Sequence, residues 1–229
     1  MQFLTYFTYF SLLFCLTMCL LHFLRLIRLG APKDLSQKSG NVTKGVIYSN
    51  TVAMLPNKKE SAYMHIPTFT SGVIFHLGTF LAFFCFLFLI IKPVWKLFFD
   101  YTLISAIIAI CLWISFFFGV GLFIKRLVSK QLRPISNMDD FISVCLTALF
   151  QKFSALLFTI FAFYDFFLQY FSFEIHKVII CAYYLVSALL FLYLPFSKLK
   201  HFVYYFAARY HLGFFYGRRG TWPSKEIKK

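Results

Sequence analysis

The sequence predicts an all-α integral membrane protein, a bundle of five transmembrane helices. Of the 229 residues, 60% are hydrophobic and only 14% are charged, which is far from the balance of a soluble domain. A bilayer core about 30 Å thick needs roughly 20 apolar residues per helix. Five runs approach or reach that length, at about 3–24, 69–91, 101–124, 141–163 and 178–194. We therefore predict one membrane domain over residues 1–229.

The first run is predicted to be a retained span rather than a signal peptide. A signal peptide carries basic residues before its apolar core and a small-residue cleavage site after it. Here the basic residues Arg25 and Arg28 follow the run, and no such cleavage site follows. We therefore expect this segment to stay in the membrane.

Lysine and arginine are unevenly divided among the connections. Seven lie between the first two spans, four lie in 125–133 and eight lie from 198 onward, whereas the other side holds only Lys92, Lys96 and Lys177. By the positive-inside rule, the N-terminus faces outward, and the loop 25–68 and the basic tail 198–229 are cytoplasmic. The sequence thus predicts a multi-pass protein of the inner, cytoplasmic membrane.

The formal charge of +15 follows mostly from this topology, with a contribution from anionic lipid or a docking partner. Nothing about it calls for nucleic acid.

The loop 25–68 is long for a connection, which favours either docking of a soluble subunit or a mobile solvated loop. The tail is read either as a docking segment or as an interfacial anchor of Tyr, Trp and Arg.

Two histidines stand out among the ionisable residues near or inside the spans, which are functional candidates by default. His76 lies in "SGVIFHLGTFLAFF", and His201 ends the basic part of "LPFSKLKHF". The two spans run in opposite directions, so both histidines are expected in the cytoplasmic half of the bilayer. Two histidines at matching depth on different helices are what bis-imidazole ligation of a heme requires. Gly72, one turn before His76, would leave space for a flat macrocycle.

Both histidines also have simpler interpretations. His76 would donate an interhelical hydrogen bond, and His201 would be an interfacial residue beside snorkelling lysines. In the heme interpretation, the nearby cations Lys198, Lys200 and Arg209 would pair with propionates or a docked partner.

Three motifs resemble the membrane cytochrome b subunits typified by the gamma subunit of respiratory nitrate reductase, and related subunits of sulfite-reduction and heterodisulfide-reductase complexes. "FHLG" at 75–78 looks like the first heme-ligand motif of that family, and "LPFSKLKHF" at 194–202 looks like its closing motif. "KRLVSKQLRPISNMDDF" at 125–141 is similar to the basic loop that enters span four. The resemblance implies the five-span layout, with His76 and His201 as axial ligands of a heme b.

The departures from the family pattern imply one heme b rather than two. Two-heme members carry a further histidine about ten residues along span two and another about eighteen residues before the closing histidine. Those positions fall here at Phe86 and Tyr183, which do not ligate such a heme. With one heme in the inner half, quinol oxidation would release its protons to the cytoplasm and be electroneutral.

The resemblance also implies a quinone, menaquinone or ubiquinone, as substrate, and a cytoplasmic iron–sulfur subunit as electron-transfer partner. The six cysteines lie within the spans and are predicted to be packing residues, so the clusters would belong to that other chain. Candidates for the quinone site are His22, His65 and Lys152, because a quinol needs a proton acceptor. Asp139 and Asp140 are further candidates for the same role. The alternative function is a heme-free membrane anchor or assembly subunit for a soluble enzyme.

Overall fold

The computed structural model describes residues 1–30, 34–58, 60–90, 101–164 and 173–223. Every regular element in these ranges is helical, which confirms the all-α prediction. The α-helices are α1 Gln2–Leu29, α2 Val42–Asn50, α3 Glu60–Met64, α4 Ile66–Ile90, α5 Thr102–Val128, α6 Met138–Ala162, α7 Phe173–Tyr193 and α8 His201–Arg218. Short 3-10 turns lie at Val52–Met54, Pro56–Lys58, Arg133–Ile135 and Lys198–Lys200.

Five of these helices, α1 and α4–α7, are long and apolar enough to cross a membrane. They coincide with the five predicted runs, so the protein is a multi-pass membrane protein. The helix α1 extends past the predicted end at residue 24 and carries Arg25 and Arg28 within its last turns. Long basic side chains let a helix continue to the membrane surface. The predicted connection at 92–100, with Lys92 and Lys96, lies outside the described residues, as do 165–172 and the tail end 224–229.

The helix α6 begins at a local signal that the sequence carries in "SNMDDF". Asn137 Oδ1 accepts from the backbone N–H of Asp140 at 3.1 Å, and Asp140 Oδ2 accepts from the N–H of Asn137 at 3.0 Å. This reciprocal capping box satisfies two backbone donors that the first helical turn leaves unpaired. It fixes where the basic loop ends and the fourth span starts.

The chain divides into two compact units. The first contains Met1–Cys15 and Thr70–Lys198, and the second contains Leu16–Phe69 and Leu199–Lys229. In the first unit, Thr8 Oγ1 donates to the backbone oxygen of Tyr184 at 2.9 Å and ties α1 to α7. The prediction of one membrane domain stays a prediction.

Aromatic side chains fill the core of the first unit. Its largest fully buried residues are Phe86, Phe150, Phe158, Phe161, Tyr183 and Phe191. Large rings bury the most area per residue and pack edge to face, which accounts for part of the use of 34 phenylalanines in this chain.

The second unit contains a helix pair that the sequence analysis did not predict. The helix α2, from the predicted loop, packs against α8, from the predicted tail, through glycines. A Cβ at Gly45 would overlap the backbone of Gly213 and Gly217. Only residues without side chains allow this approach. The loop and the tail are thus folded against each other.

Basic side chains of the tail reinforce this pair. Ser49 Oγ donates to the backbone oxygen of Arg209 at 2.7 Å, and Arg209 Nη2 donates to that of Ser49. Arg219 pairs with Asp34 at 3.2 Å. The hydrogen bond from the backbone N–H of Ser36, and then the guanidinium of Arg219, hold the pKa of Asp34 below its usual value.

Candidate functional site

The first predicted ligand, His76, lies on α4 with its side chain exposed, while its neighbour Phe75 is buried. Its Nδ1 lies 2.7 Å from the carbonyl oxygen of Gly72. A carbonyl oxygen only accepts, so Nδ1 carries a proton, and in the neutral ring Nε2 is the unprotonated nitrogen. That is the form of imidazole that binds a metal, held by a backbone carbonyl as metal-binding histidines commonly are.

Gly72 leaves open space beside this histidine. A Cβ added at Gly72 meets nothing within 4 Å. A flat macrocycle needs such an unobstructed face next to its axial ligand, so the residues around His76 fit heme ligation locally.

The second predicted ligand, His201, is the first residue of α8 and is exposed. The fifth span ends at Tyr193, and a turn and the Lys198–Lys200 3-10 segment separate it from His201. His76 belongs to the first unit and His201 to the second, so their pairing on one heme stays a prediction.

Two of the motifs that carry the family resemblance meet in the first unit. The Asp140 carboxylate pairs with Arg126 at 2.8 Å and with the Nζ of Lys198 at 2.7 Å. Asp139 accepts from the backbone N–H of Lys198 at 2.9 Å and from the hydroxyl of Tyr193. Charge-assisted hydrogen bonds of this kind are short and strong. They join the basic loop to the start of "LPFSKLKHF".

The predicted cationic candidates therefore already have partners in the protein. Lys198 binds Asp140, and Arg209 binds the backbone of Ser49. Lys200 is half-buried within its 3-10 turn. A role for these cations toward a propionate or a docked partner stays a prediction.

The quinone candidates lie in different surroundings. The His22 Nδ1 is 3.0 Å from the hydroxyl of Tyr204 within the second unit. His65 is exposed at the turn between α3 and α4. Lys152 is half-buried on α6, with its Nζ 5.8 Å from the ring centroid of Phe153. Nothing in these contacts selects one of the three.

Phe86 and Tyr183 face each other across α4 and α7. Their ring centroids are 5.9 Å apart, and both side chains are almost fully buried, at 1% and 2% exposure. Phe191 lies 4.9 Å from Phe86, and Phe150 stacks on Tyr183 at 6.2 Å. The two positions that the resemblance singled out are thus adjacent in space and closed by aromatic rings.

Two residues that the sequence analysis missed hold α4 in place. Gln151 on α6 and Ser115 on α5 are buried polar residues, both hydrogen-bonded to the turn of α4 that carries His76. Neither side chain carries a charge, so the pattern of ionisable residues within spans does not point to them. Among the described residues, no group of three or more His, Cys, Asp or Glu side chains forms a metal site, and bis-histidine ligation of a heme requires only two.

Comparisons with models of protein families, with curated proteins and with solved structures find no match to this chain.

Proposed function

We propose that this protein is a heme b membrane subunit that passes electrons between a quinol pool and a cytoplasmic iron–sulfur partner. The N-terminus would lie outside and the basic connections in the cytoplasm, in keeping with the distribution of Lys and Arg. One heme, held by His76 and His201, would supply the one-electron chemistry. The terminal reaction would belong to the partner.

The state of His76 is the observation that carries this proposal. Its Nδ1 donates to Gly72, which leaves the neutral ring with Nε2 in the ligating form, and the Cβ direction of Gly72 is open. A histidine that served only as an interhelical donor would point into the bundle, whereas the side chain of His76 is exposed. In a span, such a side chain faces lipid, a cofactor or another chain.

The aromatic cluster around Phe86 and Tyr183 supports one heme rather than two. The rings of Phe86, Phe150, Tyr183 and Phe191 occupy the volume between α4, α6 and α7. None of these side chains ligates a heme of this class. With no second heme to carry electrons across the membrane, turnover would be electroneutral. A membrane potential generated by turnover in proteoliposomes would contradict this part of the proposal.

The proposal is tested on the purified full chain by its reduced-minus-oxidised spectrum and its heme-to-protein ratio. We expect a b-type band, a ratio near one, and loss of the band in both His76→Ala and His201→Ala. His211→Ala is the matched control, because His211 is a half-buried histidine on the same α8 helix as His201. A ratio near two would contradict the one-heme proposal, and no band in the wild-type protein would contradict the heme proposal as a whole.

The alternative is a heme-free membrane anchor or assembly subunit. The packed α2–α8 pair favours it, because a folded second unit with exposed cations at Arg25, Arg28, Lys38, Lys44 and Lys58 offers a surface for an acidic protein. A chain without a b-type band that still holds its partner at the membrane would support this function.

A further inference from the structure

Gln151 is an amide in the middle of an apolar span, and its side chain is fully buried. Its Nε2 donates to the backbone oxygen of Phe75 at 2.9 Å and to Thr79 Oγ1 at 2.7 Å. Its Oε1 accepts from Ser115 Oγ at 3.1 Å. The amide thus joins α6 to both α4 and α5.

Ser115 adds a second connection to the same turn of α4. Its hydroxyl also lies 3.1 Å from the backbone oxygen of Ile74. Gly78 faces Ser115, and Gly119, one turn after Ser115, faces the ring of Phe75. The two glycines allow α4 and α5 to approach closely enough for a short side chain to reach a backbone carbonyl.

These contacts lie on the side of α4 opposite the exposed histidine. Phe75 and Gly78 are buried, whereas His76 and Leu77 are exposed. The carbonyl that accepts from Gln151 belongs to the peptide unit that joins Phe75 to His76. A rotation of α4 about its axis would break the hydrogen bonds from Gln151 and Ser115 together. Gln151 and Ser115 therefore fix the rotation of α4 and with it the direction in which the His76 side chain points.

We propose that Gln151 is a positioning residue for His76, which it holds in the orientation for heme ligation by binding the Phe75 carbonyl. This inference rests on the proposed function. Stability alone explains the residue poorly, because hydrogen bonds between membrane helices contribute only about 0.6 kcal/mol on average, and an apolar side chain would fill the same volume. Outer groups that orient a metal ligand commonly change metal affinity by about 10- to 100-fold when removed.

The test compares Gln151→Met, which keeps the length of the side chain but removes the amide, with Thr147→Val. Thr147 lies one turn earlier on α6 and is also buried, and its hydroxyl donates within α6 to the backbone oxygen of Ser143 at 2.8 Å. The measurements on the purified full chain are heme affinity, heme midpoint potential, the low-spin electron paramagnetic resonance spectrum and the unfolding temperature. Gln151→Glu is the conservative variant, since a neutral carboxylic acid restores one donor and one acceptor.

We expect Gln151→Met to lose about tenfold or more in heme affinity and to shift the midpoint potential and the spectrum. Gln151→Glu should recover part of each change, and Thr147→Val should alter at most the unfolding temperature. If Gln151→Met does not fold, Ser115→Ala, which removes one hydroxyl, should shift the spectrum in the same direction. If Gln151→Met and Ser115→Ala both give the same spectrum as the heme-containing wild type, this inference is overturned, while the proposed function stands. A wild-type protein without heme would overturn the proposed function and this inference with it.

Discussion

The contact between Gly78 on α4 and Ser115 on α5 predicts a large effect from a single methyl group. In Gly78→Ala, the new Cβ would lie less than 3.0 Å from both the Cβ and the Oγ of Ser115, which is closer than Cβ atoms approach other atoms in proteins. The Cβ of Ser115 is fixed to its backbone, so the two helices must separate. A shift of about 0.5 Å already lengthens the 3.1 Å contact from the Ser115 hydroxyl to the Ile74 oxygen of α4 beyond hydrogen-bonding range.

The magnitude follows from two terms. Overpacking in a filled core costs about 1–3 kcal/mol, and the lost hydrogen bond between the two membrane helices costs about 0.6 kcal/mol. We expect Gly78→Ala to lower the free energy of unfolding by about 2–4 kcal/mol, measured by unfolding of the purified protein in detergent. Gly121→Ala on α5 is the control. A Cβ at Gly121 meets nothing within 4 Å, so this change should leave stability unaltered or raise it by up to about 1 kcal/mol.

A double variant separates this steric reasoning from other causes. Ser115→Gly removes both atoms that the new Cβ meets, so Gly78→Ala should cost much less in that background than in the wild type. Such non-additivity is expected only for residues in direct contact. Equal costs in the two backgrounds, or a Gly78→Ala protein as stable as the wild type, would refute the close packing of α4 on α5 at this point.

Three further changes test other parts of the structure. Gly45→Ala should detach α2 from α8, because its Cβ meets only backbone atoms there, and limited proteolysis should then cut within 34–58 while the five long helices stay protected. Gly72→Leu should abolish heme binding without loss of stability, since the added side chain enters open space beside His76; an unchanged heme ratio would place the macrocycle elsewhere. Asp34 has a lowered pKa, so its carboxylate stabilises the fold above the ordinary pKa and loses that effect as the pH falls through the lowered value. The difference in unfolding temperature between the wild type and Asp34→Asn should therefore be present at about pH 6 and disappear only below about pH 4.

The five long helices could be predicted from the sequence because the bilayer sets both their length and their composition. The α2–α8 pair could not be predicted in this way. Its contacts join Gly45 to Gly213 and Gly217, which are more than 160 positions away in the chain. A nine-residue helix with two buried residues, Gly45 and Ser49, carries almost no apolar periodicity. Glycine in a polar segment equally predicts a turn.

At the candidate site, the sequence identified the proposed ligand, His76, but not the residues that hold its turn of α4. His76 was found because an ionisable group in a span is rare. Gln151 carries no charge, so it does not stand out among the ionisable residues within the spans. An uncharged amide in an apolar run is a weaker signal than a charge. The free energy of burying it nevertheless has the same origin, which is the loss of hydration. The resemblance also singled out Phe86 and Tyr183, and their two rings adjoin in the structure.

The two faces of α4 indicate why an exposed histidine in a span bears on function. One face is closed by Phe75 and Gly78, and there the backbone oxygens of Ile74 and Phe75 accept from side chains of two neighbouring helices. The packing, hydrogen-bond and glycine contacts of α4 described above all lie on that face. These contacts therefore account for the position of the helix. His76 lies on the other face and is not needed for any of these contacts. The hydrogen bond from its Nδ1 to the Gly72 oxygen leaves Nε2 as the unprotonated nitrogen of the neutral ring, which is the arrangement that the proposed heme ligation requires.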